Sequence, residues 1–219
     1  MRVLAIAASW ASALACGAPV ATPAGTTQLV TVSAARYGTT VASLELWGRS
    51  GSCWRRVAGP WPARLGRSGL SAHKREGDGA TPAGTYRLGA TVYGIAADPG
   101  VALAYHRLVC GDWWDEDVRS PAYNTFQHVA CGTAPPFGGN SEALWRISPQ
   151  YRYFAVIEYN GRPRVRGLGS AIFLHVSAGD ATAGCVSLPE ARLVRVLRWL
   201  RPAAQPRIAL GTVAKFRRP

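Results

Sequence analysis

Two neighbouring runs constrain this chain more than anything else in it: Ser170-Ala171-Ile172-Phe173-Leu174-His175 and Thr182-Ala183-Gly184-Cys185-Val186-Ser187. Ile172 to Leu174 is a short apolar stretch of the kind that forms a buried strand, and it ends on a histidine. Residues 176–181 are small and polar, which predicts a loop. Beyond the cysteine, Ser187 as N-cap, Pro189 in the first turn and Glu190 three residues after the serine spell a capping box. Leu193, Val194, Leu197 and Leu200 then recur at the spacing of one helical face. A strand, a loop and a helix thus carry an imidazole and a thiol within one compact unit.

That arrangement has a definite chemistry. A free cysteine titrates near ~8.5 and is only a few per cent thiolate at neutral pH. With Ser187 as N-cap, the positive end of the helix lies close to Cys185 and favours the anion. His175 is placed to take the thiol proton and later to protonate a leaving amine. The backbone N–H groups at Gly184 and Cys185 are the natural oxyanion donors, and glycine before the cysteine allows close substrate approach. The competing reading is a buried structural cysteine beside an unrelated histidine, and the spacing alone leaves both open.

Phe173-Leu174-His175 followed by Gly184-Cys185-Val186 resembles the signature of the YkuD-like L,D-transpeptidases, penicillin-insensitive enzymes that remodel bacterial peptidoglycan. A second stretch, Glu76-Gly77-Asp78-Gly79-Ala80-Thr81-Pro82-Ala83-Gly84-Thr85-Tyr86, is similar to the D-G-x-T-P-x-G-x-[YF] strand entry of the same domain. The two motifs occur in family order, and the resemblance spans roughly residues 60–212. It implies a mainly β, sandwich- or barrel-like catalytic domain with one helix after the nucleophile, with Cys185 as nucleophile and His175 as base. The chain departs from the family pattern at two places. Histidine usually precedes Gly-Cys, and here that position is Ala183; arginine usually stands two after the cysteine, and here that position is Ser187. The interval between base and nucleophile is also shorter, so the intervening loop is trimmed and the chain reads as a divergent branch.

The rest of the chain fits that frame. Gln28–Ser33, Val41–Trp47, Cys53–Val57, Thr85–Leu88, Tyr151–Tyr159 and Arg207–Val213 have strand patterns, and turn signals such as Gly48–Ser52 and Asn160-Gly161 separate them. Many short strands with one helix predict a mainly β sandwich-like domain. Val101–Trp145 reads as a loop-rich insertion, and its Trp113 and Trp114 either anchor it or line a groove for peptide or sugar. His106 and His128 lie in the same insertion; each alone is more often a hydrogen-bonded structural residue. Thr182, Ser187, Trp113, Trp114 and His106 are the candidate substrate contacts.

Residues 1–24 read as an export signal: Arg2, an apolar Val3–Ala15 segment and Ala13-Leu14-Ala15 as a cleavage site. Cys16 directly follows, so lipid attachment is an option that Ala13 fits poorly. The Pro/Thr/Gly stretch 19–27 is expected to be a short tether or a second cleavage region, and 25–219 one catalytic domain. Export favours disulfides. Cys110 and Cys131 bracket the insertion and are the expected bridge, which leaves Cys53 as an unexplained thiol if Cys185 is to remain free. Connectivity is not fixed by sequence, and a Cys53–Cys185 bridge would abolish the nucleophile.

With net charge +13 and a pI of about 10.3, the chain suits an acidic partner, of which anionic wall polymers are one class. No nucleic-acid motif is present. No H-E-x-x-H, H-x-x-E-H or H-x-H spacing supports a zinc peptidase, and no cofactor or metal is expected. The leading expectation is an exported or wall-associated cysteine acyltransferase that forms a thioester on Cys185 from a peptidoglycan stem tetrapeptide and passes it to an amine. An L,D-carboxypeptidase or cross-link hydrolase using the same thioester, and a catalytically silent wall-binding domain, are the alternatives. Membrane contact is expected only through a lipidated Cys16.

Overall fold

The structure, a computed structural model, describes residues 17–216. Most of the expected export signal, Cys16 included, lies outside the described residues, as do residues 217–219. In chain order the strands are β1 (Gln28–Ala34), β2 (Val41–Ser50), β3 (Cys53–Arg64), β4 (Leu70–Ser71), β5 (Thr81–Pro82), β6 (Gly84–Gly94) and β7 (Ala104–Arg107). They continue with β8 (Asp112–Asp115), β9 (Thr125–His128), β10 (Glu142–Ala143), β11 (Phe154–Ile157), β12 (Phe173–Val176), β13 (Val186–Leu188) and β14 (Arg207–Thr212). Helix α1 (Glu190–Trp199) follows β13, and a one-turn α2 (Val213–Phe216) follows β14.

Nine strands form one sheet in the order β11-β12-β13-β3-β2-β1-β14-β6-β7, and β6 also pairs with β11. That extra pairing closes the sheet on itself, so the mainly β, barrel-like fold is as expected. Closure leaves few open edges. The strands of the core alternate as a two-faced sheet should. On β12 and β13, Leu174, Val176, Val186 and Leu188 point into the main core with Val30, Leu44 and Leu46. Helix α1 covers the same core with Leu193, Val196 and Leu197, none of them exposed. Leu200 is buried as expected, Val194 packs half-buried against the same core, and Val196 joins the stripe beside them.

The opposite face of β12 is covered too. Phe173, Phe154, Tyr151, Leu144, Trp114 and Cys185 make a second apolar cluster between the barrel and the insertion. The insertion is less loop-like than its composition suggests. It contributes β7 to the edge of the main sheet and a separate three-stranded sheet in the order β10-β8-β9. Phe126 and Trp145 pack at the margin of the second cluster.

Three local expectations are corrected. The capping box does not form: Ser187 sits inside β13, paired with His175 on one side and Arg64 on the other, and α1 starts at Glu190 after an N-cap Pro189 that makes no side-chain cap. The ladder uses the backbone around Ser187 before the helix can. The stretch 19–27 is docked rather than a loose tether: Val20 packs near Leu29 and Trp54, and the Thr27 N–H donates to Ala204 O. Cys53 is disulfide-bonded and is therefore not a leftover thiol. Cys110 and Cys131 are bridged as expected, with Cα atoms 5.2 Å apart.

The Cys110–Cys131 bridge spans 21 positions of the insertion, so replacing both cysteines with serine should cost about 3 kcal/mol through loop-closure entropy. Denaturant unfolding of the double variant measures this. An unchanged midpoint would mean that packing alone holds the insertion.

Candidate active site

Strand register brings the thiol and the imidazole together. β12 and β13 run parallel with Leu174 opposite Val186 and His175 opposite Ser187. Side chains alternate across a strand, so Phe173 and His175 share one face with Cys185 and Ser187, and His175 is a diagonal neighbour of Cys185. Both residues line one cavity of about 380 Å³, together with Glu142, Tyr151, Thr182 and Ser187.

The cysteine is free and 8 % exposed. Its Sγ lies between two backbone groups: the Phe173 N–H donates to it at 3.3 Å, and the thiol donates to Ala171 O at 3.2 Å. Ala171 presents that carbonyl from a left-handed conformation (φ 51°), and its N–H donates to Asn124 Oδ1 at 3.1 Å. The carbonyl of Cys185 is held twice, by Thr182 Oγ1 at 2.7 Å and Thr81 Oγ1 at 3.1 Å. Thr81 Oγ1 also accepts the Gly66 N–H at 2.8 Å. The Asp-Gly-Ala-Thr-Pro motif therefore clamps the backbone of the nucleophile. Asp78 folds the motif by accepting Lys74 Nζ at 2.6 Å and the N–H groups of Arg75 and Ala80. Gly184 has φ 149°, and a Cβ there would meet Ala80 O at 3.1 Å, so the residue before the cysteine has a steric reason to be glycine.

His175 is 6 % exposed. Its Nδ1 lies 2.8 Å from Val176 O. A carbonyl only accepts, so Nδ1 carries the proton and Nε2 is the basic nitrogen in the neutral ring. Burial lowers the imidazole to about 4, partly offset by that hydrogen bond. Burial also pushes the Cys185 thiol well up, and the nearby Glu142 carboxylate adds to the effect. The expectation of a helix-stabilised thiolate is thus reversed: α1 starts five residues after the cysteine, with β13 between, and the resting pair is neutral thiol and neutral imidazole.

A second cavity of about 230 Å³ reaches Cys185 from another side. Glu76, Glu116 and Glu142 line it, with Lys74, Ser170 and Gly184. Burial, followed by the charges of Glu142 and Glu76, raises Glu116, and burial raises Glu142. Ser170 Oγ lies 2.8 Å from Glu76 Oε2 and 3.3 Å from Glu116 Oε2. One hydroxyl has one proton, so both contacts are satisfied when Glu116 keeps its own. Tyr151 donates its hydroxyl to Glu142 Oε2 and sets its ring edge-on to His175 at 5.9 Å.

The remaining candidates fall in different places. Thr182 lines the first cavity, but its hydroxyl is occupied: it donates to Cys185 O and accepts the Gly184 N–H at 3.1 Å. The Gly184 N–H is therefore engaged and is not an open oxyanion donor. Ser187 Oγ is buried, has no hydrogen-bond partner among the described residues, and borders the same cavity. His106, Trp113 and Trp114 line neither cavity. His106 and His128 both hold the buried Asp112, at 2.8 and 2.7 Å. Trp114 packs edge-on against Phe173 at 4.9 Å, and Trp113 against Trp145 at 5.3 Å. Both tryptophans sit in the insertion, and Trp114 also borders a separate cavity of about 800 Å³ with Tyr93 and Asn124. The carboxyl groups of Glu116 and Glu142, which the insertion does deliver to the site, carry no sequence motif. Among the described residues no group of His, Cys, Asp or Glu is placed to hold a metal.

A family model described as the L,D-transpeptidase catalytic domain matches residues 46–212, about three-quarters of the chain. No curated protein and no solved structure matches it.

Thr81→Val keeps the shape of the clamp but leaves the Gly66 N–H without its partner and removes one of two donors to Cys185 O. A loss of about 1–3 kcal/mol is expected, measured by thermal unfolding. An unchanged melting temperature would show that Thr182 alone holds the loop.

Proposed function

The chain belongs to the YkuD family of L,D-transpeptidase catalytic domains, and on that premise we propose that it is an exported cysteine acyltransferase acting on peptidoglycan stem peptides. One observation carries the reading: a free, buried thiol and a neutral imidazole with an unprotonated Nε2 line one cavity. Members of this family are peptidoglycan enzymes of the wall or periplasm, and the Cys110–Cys131 disulfide suits such a compartment.

In this reading, a stem tetrapeptide enters the 380 Å³ cavity and presents the carbonyl of its third residue to Sγ. The thiol proton passes to His175 Nε2 as the S–C bond forms, because neither partner is ionised beforehand. His175 then protonates the departing amine as the C–N bond breaks, releasing D-alanine and leaving a thioester on Cys185. The N–H of Cys185 serves as oxyanion donor, Gly184 being committed to Thr182. An acceptor amine next attacks, the C–S bond breaks, and the proton returns through His175 to Sγ. Ser187 Oγ, buried and without a partner, supplies a substrate hydrogen bond at the position where the family pattern usually has arginine. Transfer to an amine is favoured over hydrolysis because a second, acidic cavity reaches the same sulfur.

Incubation with a carbapenem followed by intact-protein mass should show one adduct on the wild type and none on Cys185→Ala. A wild type that never acylates would overturn the enzymatic reading in favour of a binding domain on this fold. His175→Ala should slow acylation at least ~10²-fold. Ala183→His should change the rate by less than about 10-fold, or ~1.4 kcal/mol, since the base is already present.

The pH profile follows from the buried imidazole. A base whose conjugate acid is lowered stays active above its folded pKa. Acylation should therefore persist as pH falls through the ordinary imidazole range near ~6.5 and fall only as pH approaches about 4. A rate that halves near the ordinary histidine value would mean that His175 is not the base.

A further inference from the structure

The two cavities that meet at Cys185 share two other residues, Ala183 and Glu142. We propose that Glu142 is the base that deprotonates the acceptor amine, which enters through the acidic cavity. This rests on the transpeptidase reading above and assigns a role to a residue outside both family-like motifs.

The geometry supports the role in three ways. Glu142 sits at the partition beside the sulfur, where a thioester would stand between donor and acceptor. Its Oε2 accepts the Tyr151 hydroxyl, and no other hydrogen bond among the described residues occupies Oε1. The cavity behind it offers acceptors to an N–H donor: Glu76, Glu116 and Glu142 line it, Glu116 uncharged because it keeps its proton, while Lys74 is bonded to Asp78 and Arg75 O, and Arg67 to Gly77 O. Glu116 Oε1 is buried there with no partner, an acceptor without a donor that an ammonium N–H would supply.

The chemistry needs such a base. A side-chain amine arrives as ammonium at neutral pH, its ordinary pKa lying near ~10.4, and an ammonium has no lone pair. One N–H proton passes to Glu142 and leaves to solvent. The freed nitrogen attacks the thioester carbonyl, forming N–C as C–S breaks. The second proton passes through His175 to Sγ. The sum is amide, free thiol and one released proton, with no other reactant.

The test uses the full chain with a tetrapeptide stem as donor and two acceptors. One is Nα-acetyl-lysine amide, charged at neutral pH; the other is methoxyamine, a weak base that is uncharged there. Glutamine at 142 still accepts the Tyr151 hydrogen bond. In Glu142→Gln, with each transfer rate measured from the acyl-enzyme already formed, transfer to the lysine amine should fall about 100-fold while transfer to methoxyamine changes by less than about threefold. Equal loss with both acceptors, or no loss with either, would overturn the proposal while leaving the acylation chemistry intact. Failure of the wild type to acylate would instead overturn the transpeptidase reading, and this proposal with it. Should Glu142→Gln not take up carbapenem, Glu142→Asp decides: it retains a carboxylate, so transfer to the lysine amine must exceed that of the glutamine variant, and an equal absence in both sinks the idea.

Discussion

The parallel pairing of β12 with β13 is the constraint on which the site depends. One register, His175 opposite Ser187, puts Leu174 and Val186 into the barrel core and turns Phe173, His175, Cys185 and Ser187 to the other face. A one-residue slip would exchange these sets, exposing the reactive pair to the apolar core and driving leucine and valine into the cavity. The register is therefore held by burial on both sides, not by the loop joining the strands. That loop can be short, as it is here.

Burial on both faces also determines the electrostatics. Because the insertion covers the outer face, Cys185 and His175 lie away from solvent, and low polarity disfavours their charged forms. The imidazole falls to about 4, and the thiol rises. Both shifts favour the neutral thiol and the neutral imidazole at rest. The thiol's resting partners, the Phe173 N–H and Ala171 O, fix the sulfur without ionising it. Asn124 supports this by holding Ala171 and accepting the Trp114 indole N–H through the same oxygen. Sulfur position is tied in this way to the docking of the insertion.

Ala183 stands at the junction of the two cavities, and Ser187 borders the first. Glu142 and Glu116 bring carboxyl groups to the same neighbourhood, where Lys74 and Arg67 also line the second cavity.

Several things were legible in the residues alone: the mainly β class, the strand ending on His175, the free Cys185, and the Cys110–Cys131 bridge. Each rests on a local pattern, whether an apolar run, a spacing, or a pair of cysteines bracketing an insertion. The same local reasoning misplaced the helix start, because Ser187 and Glu190 satisfy a capping box only if no strand claims Ser187 first. It also left the stretch 19–27 as a tether and Cys53 as a spare thiol. Thr81, more than a hundred residues from Cys185, gave no sign that it grips the cysteine's carbonyl. Nor did Glu142 and Glu116, which reach the sulfur only because β10-β8-β9 folds over the barrel. By itself the sequence determined the mainly β class, the strands of the barrel and the residues that carry reactive atoms, since those depend on neighbours along the chain. Only the tertiary structure decided how deeply the thiol and imidazole are buried, which backbone groups hold them, and which carboxyl groups line the second cavity, because burial and long-range hydrogen bonds have no counterpart in local spacing.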